Sequence, residues 1–203
     1  MQKHMAHVAV FISGSGTGLQ AFIDAGKSGI LKAKIALVVS SRSDAFGLER
    51  ARMVGIDTFV FKIKKYPKPE EAADDLLHRL RAHEVDYIAL AGYLKLLPGE
   101  IVRAYRNRIV NIHPALLPQY GGKGMYGHHV HEAVIASGDT ETGCSVHLVN
   151  EKYDEGRILE QIRVPVIPGD TPDTLAHRVQ EQEHKLYPRV LEKLIQGEYK
   201  LDD

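Results

Sequence analysis

The sequence predicts an α/β fold, a mostly parallel sheet flanked by helices with an antiparallel strand pair near the C-terminus. Three observations predict it. Short β-branched apolar runs alternate with segments of helical period, as parallel βαβ units require. A glycine-rich turn, "SGSGTG" (13–18), joins the first run to the first helical segment. Two late apolar runs follow each other with only a turn between them, which adds an antiparallel element to a mixed sheet.

The elements follow in order. "HVAVFI" (7–12) is the first strand, and "LQAFIDAGKSG" (19–29) reads as a short helix after the glycine-rich turn. "AKIALVVSS" (33–41) is the second strand, followed by a helix over "DAFGLERARMVG" (44–55) and a short strand "DTFVF" (57–61). The segment "KPEEAADDLLHRLRAHEV" carries apolar residues at 72, 73, 76, 77 and 80, a helical period, and its acidic start suits a helix N-terminus. "DYIALAG" is strand four, "PGEIVRAY" a helix opened by Pro98, and "RIVNIH" strand five. "HHVHEAVIASG" is helical, and "GCSVHLVN" with "RILEQIRVPV" forms the late pair. The tail "TPDTLAHRVQEQEHKLYPRVLEKLIQG" is a long helix, expected to bend or break at Pro188. The arrangement is Rossmann-like. Neither a repeat nor a linker interrupts it, so one domain over residues 1–203 is expected.

Composition narrows the function classes. Lys plus Arg equals Asp plus Glu at 26 each, which gives no electrostatic reason for a nucleic-acid or anionic-membrane partner. The N-terminal apolar run is too short for a signal peptide, and no stretch reaches the ~20 apolar residues of a membrane helix. A lone cysteine, Cys144, closes no internal disulfide and reads as a small core residue, in keeping with a reducing, cytoplasmic setting.

The stretch "NIHPALLP" (111–118) carries the first chemical signal. Asn111 and His113 sit two apart on a strand, so both side chains share a face, and Pro114 sets the strand's end. "SGSGTG" lies before a helix N-terminus, where backbone N–H groups receive a phosphate; it is neither G-x-G-x-x-G nor a Walker A loop. Asp154 in "NEKYDEGRIL" reads alone as a turn residue. With Asn111 and His113 it completes an amide–imidazole–carboxylate set that steadies an oxyanion and moves a proton, provided the fold brings it there. The cluster His128, His129 and His131 lacks H-E-x-x-H spacing, because Ile135 stands at the second His position, so a solvated loop and helix start is expected and no metal. A serine triad has no G-x-S-x-G elbow to stand on.

The same blocks, with "FISGSGTGLQAFID", "ALAGYLKLL" and "VQEQEHKLYPRVL", resemble the phosphoribosylglycinamide formyltransferase family over almost the whole chain. "NIHPALLP" followed at a distance by "YDEGRIL" is a signature of folate formyltransferases. The resemblance implies the formyltransferase fold. It also implies transfer of the formyl group of 10-formyltetrahydrofolate, a co-substrate, to the amine of glycinamide ribonucleotide in purine biosynthesis, with no metal. It makes Asn111, His113 and Asp154 the catalytic set, with His113 kept charged by Asp154. It puts the ribotide phosphate on Gly16, Thr17 and Gly18, its ribose and glycinamide portion on Gln180 and Glu183, and the pterin against Leu94, Lys95, Leu96, Leu97 and Asn111. The oligomeric expectation is a monomer or homodimer.

Three positions depart from the family pattern. Thr17 and Gly18 replace the usual Ser-Asn of the first loop, Lys95 stands where Arg is frequent, and "GGKGMYGHHVH" is a few residues longer than the commonest form. Two relatives share the catalytic set. Formyltetrahydrofolate deformylase carries an N-terminal regulatory domain, for which a first strand at residue 7 leaves no room. Methionyl-tRNA formyltransferase carries a C-terminal RNA-binding domain, which the terminal helix and zero net charge do not suggest. A non-catalytic nucleotide-binding module is the reading from another class, and the intact polar set weighs against it.

Overall fold

The computed structural model describes residues 5–201. Its strands are β1 (His7–Ile12), β2 (Lys34–Ser40), β3 (Asp57–Val60), β4 (Tyr87–Leu90), β5 (Ile109–His113), β6 (Glu141–Leu148) and β7 (Ile158–Pro165). Its helices are α1 (Thr17–Lys27), α2 (Gly47–Met53), α3 (Pro69–Ala82), α4 (Gly99–Ala104), α5 (His128–Ser137) and α6 (Pro172–Ile195). All seven strands form one sheet in the order β3-β2-β1-β4-β5-β6-β7. The first five pair in parallel, and β6 and β7 add antiparallel.

The order reverses at β1, which pairs β2 on one side and β4 on the other. The loops that leave the carboxyl ends of β1 and β4 therefore diverge and leave a crevice, the usual ligand position in an open α/β sheet. Side-chain alternation divides the core in two. Val8, Val10 and Ile12 pack with Leu19, Phe22, Leu48, Val179 and Val190 on the α1, α2 and α6 side. Ala9 and Phe11 pack with Leu76, Leu80 and Ile101 on the α3 and α4 side.

Two helix boundaries differ from expectation. Pro98 is the residue before α4, in an extended conformation (ψ 140), and the helix proper opens at Gly99. More substantially, α6 runs unbroken from Pro172 to Ile195 through Pro188. A proline there forfeits one backbone donor, but Leu186, Tyr187, Val190 and Leu191 around it are all buried. The Tyr187 hydroxyl also reaches the carbonyls of Leu90 (3.1 Å) and Val110 (2.8 Å), tying the helix to β4 and β5. Packing of this kind outweighs propensity. The start of α6 is held by a reciprocal cap, Thr174 N–H to Thr171 Oγ1 (3.3 Å) and Thr171 N–H to Thr174 Oγ1 (3.0 Å).

Candidate active site

A cavity of about 660 Å³ opens over the carboxyl ends of β1, β4 and β5. The β1–α1 loop, the end of β5, the start of α5 and the middle of α6 line it, and so does Asp154. Asn111, His113, Asp154, Gly16, Thr17, Gly18, Gln180, Glu183 and Leu94 all face this one space.

The β1–α1 loop is shaped for an anion. Gly16 sits in the left-handed region (φ 72), and α1 begins after it with no side-chain cap. The first intrahelical donor is Gln20 N–H, to the Gly16 carbonyl at 2.9 Å, so the N–H groups of the first turn are left for a ligand. A side chain at Gly16 would come within 2.5 Å of the Gly47 Cα, so only glycine allows α2 this close. Arg50 braces the loop from outside, donating to the Ser15 carbonyl (2.9 Å) and to Gln20 Oε1 (3.0 Å). Gln180 reaches across from α6 to Thr17 Oγ1 at 3.2 Å, joining the two expected ribotide contacts.

The polar set assembles across the junction of the parallel and antiparallel halves. Asn111 and His113 share a face of β5, and in the β5–β6 ladder Asn111 pairs with His147 and His113 with Ser145. The turn after β6 swings Asp154 over the end of β5. Its Oδ2 lies 3.6 Å from His113 Nδ1 and accepts from the Gly122 N–H at 3.0 Å. Its Oδ1 lies 3.4 Å from Asn111 Nδ2 and 3.5 Å from His147 Nε2. Asp154 itself takes a left-handed backbone (φ 55). Gly156, two residues on, packs its α-carbon so tightly against the Leu148 carbonyl that no side chain fits there.

The expected charge on His113 is opposed by the burial of its ring. His113 is almost wholly buried, and its Nε2–H donates to the Tyr120 carbonyl at 2.7 Å. Burial pushes its pKa below the usual histidine value, more than Asp154 and the Tyr120 carbonyl pull it up. Burial thus works against the charge on the ring that Asp154 favours. Asp154 goes the other way. Burial alone would raise it, but the His147 and His113 rings and the Gly122 N–H together hold it below the usual carboxylate value. It is ionised at rest and ready to take a proton.

Glu183 lines the cavity half-buried, and burial pushes its carboxyl up to about 7. Of the folate stretch, Leu94 lines the main cavity, while Lys95, Leu96 and Leu97 line a neighbouring cleft of about 60 Å³ that shares Asn111 and Asp154. Leu97 belongs to the core on the α3 and α4 side. The Leu94 N–H donates to Ser13 Oγ at 2.9 Å, which fixes this loop to the one after β1.

The histidine cluster splits. His128 and His129 are exposed as expected, but His131, one turn into α5 where the helix packs against α6, is 4% exposed. Its Nδ1 has no hydrogen-bond partner among the described residues, and burial lowers its pKa to about 4. Among the described residues no cluster of three His, Cys, Asp or Glu side chains is set to hold a metal. Cys144 is buried in the core, its thiol pushed up to about 12 by burial. The sequence reading missed His147, Ser13 and the Tyr120 carbonyl. His147 alone had a signal, its place directly across the ladder from Asn111.

Comparison with known proteins gives consistent results. The formyl transferase family model matches residues 6–191. The chain is 47% identical, over 91% of its length, to the chloroplastic phosphoribosylglycinamide formyltransferase of Arabidopsis thaliana, and spans 63% of that relative. It is 41% identical, over 98% of its length, to the phosphoribosylglycinamide formyltransferase of Haemophilus influenzae, covering 92% of it. The crystal structure of glycinamide ribonucleotide transformylase 1 from Symbiobacterium toebii matches with a TM-score of 0.91 at 39% identity, over 99% of this chain and 92% of that one.

Proposed function

Because this chain belongs to the formyl transferase family, we propose that it transfers the formyl group of 10-formyltetrahydrofolate to the amine of glycinamide ribonucleotide. The products are formylglycinamide ribonucleotide and tetrahydrofolate, a step of purine biosynthesis. The observation that carries this reading is the convergence of Asn111, His113 and Asp154 on a cavity that also takes in the uncapped start of α1.

In this reading the ribotide phosphate sits on the backbone N–H groups of Gly16, Thr17 and Gly18, and Gln180 and Glu183 receive the ribose and glycinamide portion. The pterin lies toward Leu94, Lys95, Leu96 and Leu97, beside Asn111. The amine attacks the formyl carbon, and negative charge gathers on the formyl oxygen. Asn111 donates to that oxygen. Ionised Asp154 takes the proton that the amine sheds, directly or through water, and shares it with His113 Nδ1. The ring becomes cationic as the oxyanion forms, which is when a positive charge beside it contributes most. Collapse breaks the bond from the formyl carbon to the folate nitrogen, and that nitrogen takes up a proton equivalent to the one the amine lost.

The whole chain works as one domain in this proposal, as a cytoplasmic monomer or homodimer. Among the described residues, no helix is long and apolar enough to cross a membrane. The test is incubation with 10-formyltetrahydrofolate, with and without glycinamide ribonucleotide. Tetrahydrofolate should form only when the acceptor is present. Equal formyl loss without acceptor would overturn the transferase reading in favour of hydrolysis.

A further inference from the structure

We infer that His147 is a positioning residue for formyl transfer: it holds one hydrogen of the Asn111 amide and so aims the other. His147 is buried at 2% exposure on β6, directly across the ladder from Asn111. Its Nδ1 lies 2.9 Å from the Leu148 carbonyl, an atom that only accepts, so Nδ1 carries a proton. Nε2 faces Asn111 Nδ2 at 3.1 Å and Asp154 Oδ1 at 3.5 Å; an amide nitrogen only donates, so Nε2 meets it with its lone pair, and the amide bridges ring and carboxylate. The amide therefore donates to the ring, which orients the amide with its nitrogen toward β6.

An amide nitrogen carries two hydrogens in one plane. Fixing the first on His147 fixes the direction of the second. The second points to Asp154 Oδ1 at 3.4 Å, a long bond that a formyl oxygen can replace. Without His147 the Asn111 amide is free to turn over, and half of its orientations present a carbonyl to the developing oxyanion. Nε2 also lies near Asp154 Oδ1, but the Asn111 amide donates to both, so His147 acts on the formyl oxygen through Asn111.

The inference rests on the formyl-transfer reading, and its test separates the two. His147→Met removes the acceptor at similar volume, while His147→Gln keeps one near the position of Nε2. The Met variant should lose about tenfold to a hundredfold in kcat, the scale of a misaimed catalytic group, with both KM values within about twofold. The Gln variant should recover most of that loss at an equal melting temperature. In an Asn111→Ala background, His147→Met should cost little more, because the group it aims is gone. Should Met not be tolerated, His147→Asn, polar but one methylene shorter than Gln, should show the same loss.

The side-chain amide resonances of Asn111 give a readout that does not depend on the reaction. The proton held by the ring should stay shifted downfield in the wild type and the Gln variant and lose that shift in the Met variant. Additive losses in the double variant, or equal kcat for Met and Gln, would overturn the positioning role. Failure of acceptor-dependent turnover in the wild type, with the Asn111 resonances behaving as stated, would sink the formyl-transfer reading and leave the His147–Asn111 lock intact.

Discussion

Asp154 occupies a left-handed backbone conformation that Asn tolerates as readily as Asp. Asp154→Asn should therefore fold and bind both substrates normally, yet lose ~10²–10⁴ in kcat, the usual scale for a proton-transfer group. A kcat within a few-fold of wild type would return Asp154 to an ordinary turn. Glu183 invites a second measurement. Its carboxyl titrates near 7 in the folded protein against an ordinary 4.5, so between those values the native state holds a proton that the unfolded chain has released. Stability of the ligand-free protein must then fall as pH rises through that window, and level off above it. Glu183→Gln should melt with wild type at pH 4 and at least ~2–4 °C above it at pH 8, the scale of ~1 kcal/mol in a chain of this size. The same variant should raise the acceptor KM and leave the folate KM alone. Equal melting at both pH values would show the carboxyl to be solvated. At this scale the sequence was half legible. Alternation on a strand was enough to pair Asn111 with His113. Nothing local linked Asp154 to them, since a turn residue 41 positions from His113 arrives only through the β5–β6 pairing. Nor was the state of His113 readable, because it depends on burial beneath Asp154 and Tyr120.

Elements were more legible than residues, because period and punctuation are local. Each strand and helix expected from period lies where expected to within a few residues. The exception is instructive. Pro188 reads locally as a breaker, but buried neighbours and the Tyr187 anchor hold α6 continuous through it. The β1–α1 loop gives the prediction at this scale. Gly16→Ala forces a side chain into a left-handed backbone and against the Gly47 Cα. That should cost at least ~2 kcal/mol, seen as a fall of roughly 4–8 °C in Tm, and should weaken ribotide binding. Gly14→Ala, with nothing within 4 Å of the added carbon, should melt as wild type does. If both variants melted alike, the close approach of α2 to this loop would not be what glycine is there to allow.

For the molecule as a whole, Tyr187 is the point where the long helix, β4 and β5 meet. Tyr187→Phe leaves two buried carbonyls short of a donor and should cost about 1–2 kcal/mol, read as a lower Tm. No change would mean that water replaces the hydroxyl.

The junction between the parallel strands and the β6–β7 hairpin has a wider consequence. Asn111 and His113 ride on the parallel side, while His147 and Asp154 ride on the hairpin, and one β-ladder, β5 to β6, is all the sheet provides to hold the two sides in register. Proteins open in pieces, and an edge unit costs less to detach than the centre of a sheet. Fraying of the hairpin would disarm the chemistry while the remaining strands stay paired. On heating, activity should therefore disappear some degrees before far-ultraviolet ellipticity does. Amide exchange should be faster in β7 and β6 than in β1 and β4, and substrates that bridge the two sides should slow it there most.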